Sequence, residues 1–228
     1  MFYGTRTLKQ EIEGAGAAPE GVVRDEPAKQ RRGLMLDTAR KFYTADWIED
    51  RIRELGDLKF NEIGLHFSDD QGFRVRVRLA SGDRVRAAPD QGAGEEIVDL
   101  AESRHITVVP EIDSPGHLGA VIAAHPDLQL RDADGDAVRG AIDISKPAAE
   151  IVDDLLDEYA GLFPGGQWHM GGDEYRRWWC PTPRRRSRDW PPPARERYGS
   201  GATVEDLTTG WLNDRAATVR GHDRTPRA

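Results

Sequence analysis

The stretch ITVVPEIDSPGH, residues 106–117, joins a short apolar run to a polar end. The run is rich in Val and Ile, which predicts a buried strand from Ile106 to Ile112. Asp113 and His117 follow directly. In a parallel α/β sheet the carboxyl ends of the strands meet at one edge, where active sites form. This stretch therefore predicts a strand of a parallel sheet with ionisable side chains at its functional end.

The same unit recurs on both sides of this stretch, and amphipathic segments separate the copies. The other predicted strands are Gly33 to Asp37, Phe60 to Phe67 and Gln167 to Gly171. The predicted helices between them run from about Asp46 to Leu55, with Thr44 as N-cap, from Gly94 to Ser103, and from Pro147 to Gly161. Residues 73–89 alternate apolar residues with Arg and predict a small solvated hairpin. The predicted fold class is α/β, a partial (β/α)8 TIM barrel of about the first four βα units.

The C-terminal part changes character after Tyr175. Residues 176–193 are rich in Arg, Pro and Trp and fit neither helix nor strand periodicity. Such a block is typical of out-of-frame translation of a GC-rich gene, with a basic, Pro-rich interaction linker as the alternative. Residues 194–228 predict a helical remainder, with a helix from Thr203 to Arg220, and we expect the chain to stop without another strand.

The composition limits the possible partners. The net charge of -8 disfavours a nucleic-acid or anionic-membrane partner, because no cationic field would collect phosphate. Cys180 is the single cysteine, so no internal disulfide is possible, and no cofactor is indicated. The start lacks a signal-peptide pattern, and no apolar run approaches the length of a membrane span, so we expect a cytoplasmic location for the chain as written.

Ionisable residues follow all four predicted strands. They are Arg40, then Asp69 and Asp70, then Asp113 and His117, and then Asp173 and Glu174. Asp173 and Glu174 are the sharpest signal, because two preceding glycines let the backbone approach a ligand. Adjacent carboxyls repel each other, so one can stay ionised while its neighbour holds a proton. Glycosidic cleavage needs this division between an anion and an acid.

Each of these residues has an ordinary structural role as an alternative, such as a cap, a turn or a surface charge. His66 and His169 lie within strands, where a satisfied core role is favoured. Glu111 also lies within a strand, and structural and functional roles are equally open to it. The function is indicated by the convergence of all four strand ends.

Four ordered motifs carry a resemblance to a known family. RGLMLDTARKF (32–42), GLHFSDDQGF (64–73), VVPEIDSPGH (108–117) and HMGGDEY (169–175) resemble the strand-end motifs of the family-20 β-N-acetylhexosaminidases. The resemblance covers residues 31–175 as the first half of the glycosidase barrel, and residues 1–30 resemble the connector that precedes it.

The resemblance implies a role for each matched residue. Glu174 would be the general acid/base, and Asp173 would orient the 2-acetamido group of the substrate, whose oxygen is the nucleophile in a retaining, substrate-assisted reaction. Arg40 would bind hydroxyls of the terminal sugar. Asp69 and His117 would form a pair behind the acid. The implied partners are N-acetylhexosamine-containing oligosaccharides or glycoconjugates.

The resemblance also implies that the second half of the barrel supplies the remaining walls of the sugar pocket. No residue of this sequence could be matched to those walls, and Trp178, Trp179, Trp190 and Trp211 receive no sugar-binding role. We therefore expect a truncated chain with poor stability and impaired activity.

Two alternatives to an active glycosidase stay open. The first is an inactive fragment or a noncatalytic sugar-binding remnant that retains Arg40 and Asp173. The second is a metal-dependent barrel hydrolase, in which an Asp/His cluster would hold the ion. Its members would be His66, Asp69, Asp113, His117, Asp173 and Glu174. We disfavour this cluster because no two of its histidines share one strand end or helix face at ligand spacing, and we predict no metal.

Overall fold

The computed structural model of the chain describes residues 1–18, 20–74, 91–132, 134–175 and 192–228. The helices within these ranges are α1 (Phe2–Ala15), α2 (Ala45–Asp57), α3 (Gln91–Ser103), α4 (Gly119–Ala124), α5 (Ile151–Ala160), α6 (Pro192–Tyr198) and α7 (Val204–Gly221). The strands are β1 (Gly33–Asp37), β2 (Glu62–His66), β3 (Ser68–Asp69), β4 (Gly72–Phe73), β5 (Thr107–Glu111), β6 (Gln129–Arg131), β7 (Ala137–Ile142), β8 (Gln167–His169) and β9 (Thr225–Arg227).

The central sheet is parallel, and its order within the described residues is β1-β2-β5-β8-β9. The four predicted strands form four of its members; β1 has the predicted bounds, and the other three are slightly shorter than predicted. The prediction that the chain ends without a further strand is wrong, because β9 pairs with β8. The described sheet therefore has five strands rather than four.

Strand β9 escaped prediction because it is only Thr-Pro-Arg and carries no apolar pattern. Tertiary contacts hold it in place instead. The Thr225 N–H donates to the Gly166 carbonyl at 2.8 Å, and the Met170 N–H donates to the Arg227 carbonyl at 2.8 Å. Pro226 lacks an N–H, which a strand tolerates where that position faces away from its neighbour.

The helices cover the outer face of the sheet with their apolar stripes. In α2, Ile48, Ile52 and Leu55 are buried, and the Thr44 hydroxyl accepts the Trp47 N–H at 3.3 Å, as the cap prediction requires. The buried side chains of α7 include Trp211. One core thus joins the residues before and after the 176–191 segment.

Two short hairpins stand at the carboxyl end of the sheet. Strands β3 and β4 pair directly after β2, and β6 pairs with β7 in the loop between β5 and α5. The second hairpin and helix α4 were not predicted. The predicted hairpin at residues 73–89 and the irregular segment at 176–193 lie almost wholly outside the described residues, as do Trp178, Trp179 and Trp190.

Residues 1–30 begin with α1, which packs against the ends of α2 and α3. The Arg6 guanidinium pairs with Asp57 at 2.5 Å, and the Tyr3 hydroxyl donates to the His105 carbonyl at 3.2 Å. None of the helices in the described ranges combines the length and the hydropathy needed to cross a bilayer.

One row of the sheet is polar in all five strands. The register aligns Asp37 with His66, His66 with Glu111, Glu111 with His169, and His169 with Arg227. Each is the last residue of its strand. Neighbouring positions in register point to the same face, so the first four of these side chains lie together at the carboxyl end of the sheet, whereas that of Arg227 extends to Glu62.

At the opposite end of the sheet, the buried Glu62 carboxylate joins β2 to β9. It accepts hydrogen bonds from Arg227 Nη2 at 2.8 Å, from Arg227 Nη1 at 3.1 Å and from Arg31 Nε at 3.1 Å. Such a bidentate Arg–carboxylate pair has strict geometry. It fixes the distance across the three strand intervals between β2 and β9.

We predict that Arg227→Met lowers the free energy of unfolding by about 3 kcal/mol, because it leaves a buried carboxylate without its bidentate partner. Arg197→Met is the matched control. It removes the exposed Arg197–Asp214 pair and should cost less than about 1 kcal/mol. Urea unfolding of both variants measures the difference. Equal losses would contradict a structural role for the Glu62–Arg227 pair.

Candidate active site

The Asp69 carboxylate is the centre of the polar cluster at the carboxyl end of the sheet. Its Oδ2 atom lies 2.7 Å from Arg40 Nη2, 3.2 Å from His66 Nε2 and 3.3 Å from His117 Nδ1. Its Oδ1 atom accepts the Asp70 N–H at 2.6 Å. The β3–β4 hairpin turns Asp69 inward and buries it. Three elements therefore direct cationic or imidazole groups at one oxygen atom.

Arg40 is held at the site by its own turn. The Asp37 Oδ1 atom accepts the Arg40 N–H at 2.9 Å, and Asp37 Oδ2 accepts Arg40 Nη1 at 2.9 Å. Burial opposes ionisation of Asp37, but these hydrogen bonds outweigh it and lower the pKa of the carboxyl. The guanidinium thus bridges Asp37 and Asp69 while part of it remains exposed at the mouth of the sheet.

Glu111 links two histidines along the polar row. Its Oε2 atom lies 3.2 Å from His66 Nδ1, and its Oε1 atom lies 2.9 Å from His169 Nδ1. Burial alone would lower the pKa of His66, but hydrogen bonds and charge from Glu111 and Asp69 raise it to about 9. Burial likewise opposes ionisation of Glu111, whose two histidine partners lower its pKa to about 2. The hydrogen bond to Glu111 also raises the pKa of His169.

The geometry tests the alternative of a metal site. His66, Glu111 and Asp113 offer ligand atoms within 4.8 Å of one another. However, both ring nitrogens of His66 lie 3.2 Å from carboxylate oxygens, those of Asp69 and Glu111. Both nitrogens then donate hydrogen bonds, as they do in an imidazolium, and no lone pair remains for a metal ion. The cluster therefore fits a buried ion pair better than a metal centre.

Asp113 joins the end of β5 to the loop after β8. Its side chain is fully buried, and its Oδ1 atom accepts the Gly172 N–H at 2.8 Å. Burial raises the pKa of Asp113 to about 6, while the Gly172 N–H opposes that rise. The charges of Asp173 and Glu111 contribute to the same rise.

His117 stands between Asp69 and Glu174. Its Nδ1 atom lies 3.3 Å from Asp69, and its Nε2 atom lies 3.8 Å from Glu174 Oε2, which is beyond a direct hydrogen bond. Half of the Glu174 side chain is exposed. Arg40 Nη2 also lies 3.3 Å from His117 Nδ1, so this ring nitrogen faces both a guanidinium and a carboxylate, while Nε2 faces Glu174.

The structure brings together Arg40, Asp69, His117 and Glu174, four of the five predicted site residues. The fifth, Asp173, is exposed beside them, next to Asp113. The buried Trp211 side chain also reaches this region, and its Nε1 atom lies 3.4 Å from Ser114 Oγ.

Two residues of the cluster received no site role from the sequence. Glu111 was left open between structure and function, and Asp113 was recognised at its strand end but entered only the disfavoured metal cluster. The available signal was that His66, Glu111 and His169 each end a strand of the parallel sheet. Residues in register on neighbouring strands point to the same face, so these three lie side by side. For His66, the favoured core role fits its burial, but its partners are the carboxylates of this cluster.

We predict that Glu111→Gln returns the pKa of His66 toward its ordinary value and lowers the free energy of unfolding by about 3 kcal/mol. The His66 contribution is complete below pH 6.5 and is lost as the pH rises through about 9. The Glu111 contribution is complete above pH 4.5 and is lost as the pH falls through about 2. The stability difference should therefore be largest between pH 4.5 and 6.5.

NMR titration of the imidazole nitrogens and urea unfolding at several pH values measure these effects. Glu49→Gln is the control, because Glu49 pairs with Arg53 on the surface of α2 and should contribute less than about 1 kcal/mol. A His66 pKa that does not change in Glu111→Gln would contradict the ion-pair assignment.

Comparison with known proteins identifies sequence relatives over most of the chain. The family model "Glycosyl hydrolase family 20, catalytic domain" matches residues 30–219. A lacto-N-biosidase of Bifidobacterium bifidum is 31% identical over 220 residues, which are 94% of this chain and 19% of that protein. A β-hexosaminidase of Porphyromonas gingivalis is 33% identical over 213 residues, which are 80% of this chain and 27% of that protein. The chain thus spans less than a third of either relative.

Solved structures agree with the sequence match. A GH20 exo-β-N-acetylglucosaminidase from Vibrio harveyi, in complex with N-acetylglucosamine, has a TM-score of 0.70 and 26% identity, over 89% of this chain and 35% of that chain. A GH20 β-N-acetylhexosaminidase from Streptomyces coelicolor has a TM-score of 0.69 and 27% identity, over 99% of this chain and 46% of that chain. The sequence match, the parallel sheet and the strand-end motifs agree, and the chain belongs to glycosyl hydrolase family 20.

Proposed function

We propose that the site takes part in the removal of terminal N-acetylhexosamine, GlcNAc or GalNAc, by a retaining, substrate-assisted reaction. The observation that carries this proposal is the line formed by Asp69, His117 and Glu174, with Asp173 beside it. A buried carboxylate orients an imidazole, which in turn faces an exposed carboxyl. That arrangement suits proton transfer at the mouth of the sheet.

In the proposed reaction, Glu174 gives its proton to the leaving glycosidic oxygen as the bond to the anomeric carbon breaks. The acetamido oxygen of the substrate forms the new bond to that carbon, which gives an oxazolinium ion. Asp173 stabilises its positive nitrogen. Water then attacks the anomeric carbon, the Glu174 carboxylate takes up the proton, and the ring reopens with retained configuration.

Arg40 is proposed to bind hydroxyls of the terminal sugar. Its guanidinium is anchored on one side by Asp37 and Asp69 and is about half exposed on the other. A rigid planar donor of this kind suits recognition of neighbouring hydroxyl oxygens. A solved relative supports the substrate class, since the Vibrio harveyi enzyme was observed in complex with N-acetylglucosamine.

Binding without turnover is the second candidate function. Among the described ranges the tryptophans do not wall the mouth of the sheet. Trp168 and Trp211 are buried, and Trp47 stacks on Tyr43 at 4.4 Å on helix α2. The described residues thus offer no aromatic wall that would press the acetamido oxygen toward the anomeric carbon, which favours binding over turnover.

We predict that hydrolysis of a 4-nitrophenyl N-acetyl-β-glucosaminide falls about 100-fold or more in Glu174→Gln, because the general acid is lost. With a 2,4-dinitrophenyl leaving group the loss should be much smaller, since that group departs without protonation. The substrate that carries a 2-hydroxyl instead of the acetamido group should not be cleaved. Steady-state release of the nitrophenolate measures all three.

The matched control is Glu49→Gln, which removes a surface carboxylate away from the site and should leave the rate unchanged. Calorimetric titration with N-acetylglucosamine separates the two candidate functions. Binding without hydrolysis favours the sugar-binding role, whereas neither binding nor hydrolysis contradicts both. Cleavage of the 2-hydroxyl substrate at a similar rate would contradict assistance by the acetamido group.

A further inference from the structure

The turn after β8, residues 171–174, has an unusual backbone. Gly171 has φ 72° and Gly172 has φ 102°, a region that L side chains rarely adopt. Glu174, which is not a glycine, has φ 57°. Such conformations persist only where surrounding contacts fix them. The turn that presents Asp173 and Glu174 therefore needs an external support.

Asp113 lies directly against this turn. Its Oδ1 atom accepts the Gly172 N–H at 2.8 Å and lies 3.4 Å from the Asp173 nitrogen. A Cβ atom on Gly171 would lie only 1.8 Å from the same oxygen. The Asp113 carboxylate thus occupies the space that a side chain at position 171 would need.

Asp113 is itself rigidly placed. Its side chain is fully buried, and its N–H donates to Ser68 Oγ at 2.9 Å. The next residue, Ser114, donates its N–H to the Met170 carbonyl at 3.2 Å. The end of β5 is therefore fastened to both β3 and the start of the turn, so a displacement of Asp113 would displace the turn.

The second oxygen of Asp113 faces the proposed proton-transfer line. Asp113 Oδ2 is buried, and no hydrogen-bond partner for it occurs within the described residues. It lies 3.8 Å from His117 Nε2, the same distance that separates that nitrogen from Glu174 Oε2. One imidazole nitrogen thus faces two carboxyl groups, one buried and one exposed.

We propose that Asp113 is a positioning residue, which holds the Asp173–Glu174 turn through the Gly172 and Asp173 N–H groups and faces His117 with its other oxygen. The proposal rests on the function proposed above, because it assigns a support to the acid/base and acetamido-orienting residues. Asp113 acts through these neighbours and is not placed on the substrate.

The charge of Asp113 is set by the groups around it. Burial, together with Asp173 and Glu111, raises its pKa to about 6, and His117 and the Gly172 N–H act in the opposite direction. The charged or titratable groups that face it are Arg40, His66, Glu111, His117, His169 and Asp173. An ionised carboxylate accepts a stronger hydrogen bond than a neutral acid. The support of the turn should therefore weaken as the pH falls through about 6.

Amide hydrogen exchange of the full chain, measured by NMR and corrected for intrinsic rates, tests this proposal without any substrate. Asp113→Ala removes the acceptor, and exchange of the Gly172 amide should become about tenfold faster or more. Asp113→Asn keeps a side-chain oxygen at that position and should stay within about threefold of the wild type. The Met170 amide, which donates to Arg227 instead, serves as an internal reference in both variants.

In the wild type, protection of Gly172 should fall below pH 6, and in Asp113→Asn this pH dependence should disappear. An unchanged Gly172 rate in Asp113→Ala overturns the proposal. Equal loss of protection at Met170 and Gly172 overturns it too, because Asp113 would then be a general stability residue. Absence of glycosidase activity in the wild type would count against the proposed function alone, since exchange does not depend on turnover.

Discussion

The constraint on which the site depends is the burial of negative charge at the carboxyl ends of adjacent strands. Asp69, Glu111 and Asp113 are all buried there. An isolated ionised carboxylate in such a place would cost many kcal/mol. These carboxyls persist there because each is compensated by hydrogen-bond donors, by cationic partners or by loss of its charge. The sheet order β1-β2-β5-β8 is what brings those donors within reach.

The compensation differs from one carboxyl to the next. Asp69 draws on Arg40, His66 and His117, and Glu111 lies between two imidazoles, so its pKa is lowered to about 2. Asp113 receives a backbone N–H at Oδ1, and burial raises its pKa to about 6. Two of these groups thus form fixed charge pairs, whereas the third can take up a proton near neutrality. Similar side chains acquire different chemistry because their donors differ.

Much of the central sheet could be predicted from the sequence, because β1, β2 and β5 each lie in a mostly apolar stretch that ends in polar residues, and β8 precedes the polar end at Asp173 and Glu174. The candidate site residues followed from those ends, whereas their roles were implied by the family resemblance. The Thr-Pro-Arg strand β9 could not be predicted, since it depends on the partner strand β8 and on the Glu62 pair rather than on its own pattern. With β9 the described sheet has five strands rather than the predicted four.

The buried network could not be predicted for a related reason. A pattern shows that Glu111 occupies a strand and shares a face with its neighbours, but not that both its oxygens meet histidines at 3.2 Å or less. Likewise, the two glycines at 171 and 172 suggested room for a ligand to approach. In the structure that room at Gly171 is taken by the Asp113 carboxylate.

Asp173 and Glu174, the acidic pair that indicates a glycosidase in the sequence, differ from the other carboxyls of the site in being exposed. Adjacency alone does not separate an acid from an anion, because both carboxyls of Asp173 and Glu174 are exposed at the mouth of the sheet. The separation that the structure does make is between carboxyls that are buried and committed to donors and carboxyls that reach outward. The buried set holds the turn and the imidazole in place, and the exposed pair stays accessible to a ligand. A site built in this way combines rigidly held buried groups with accessible carboxyls, and proton transfer to a bound substrate would require both.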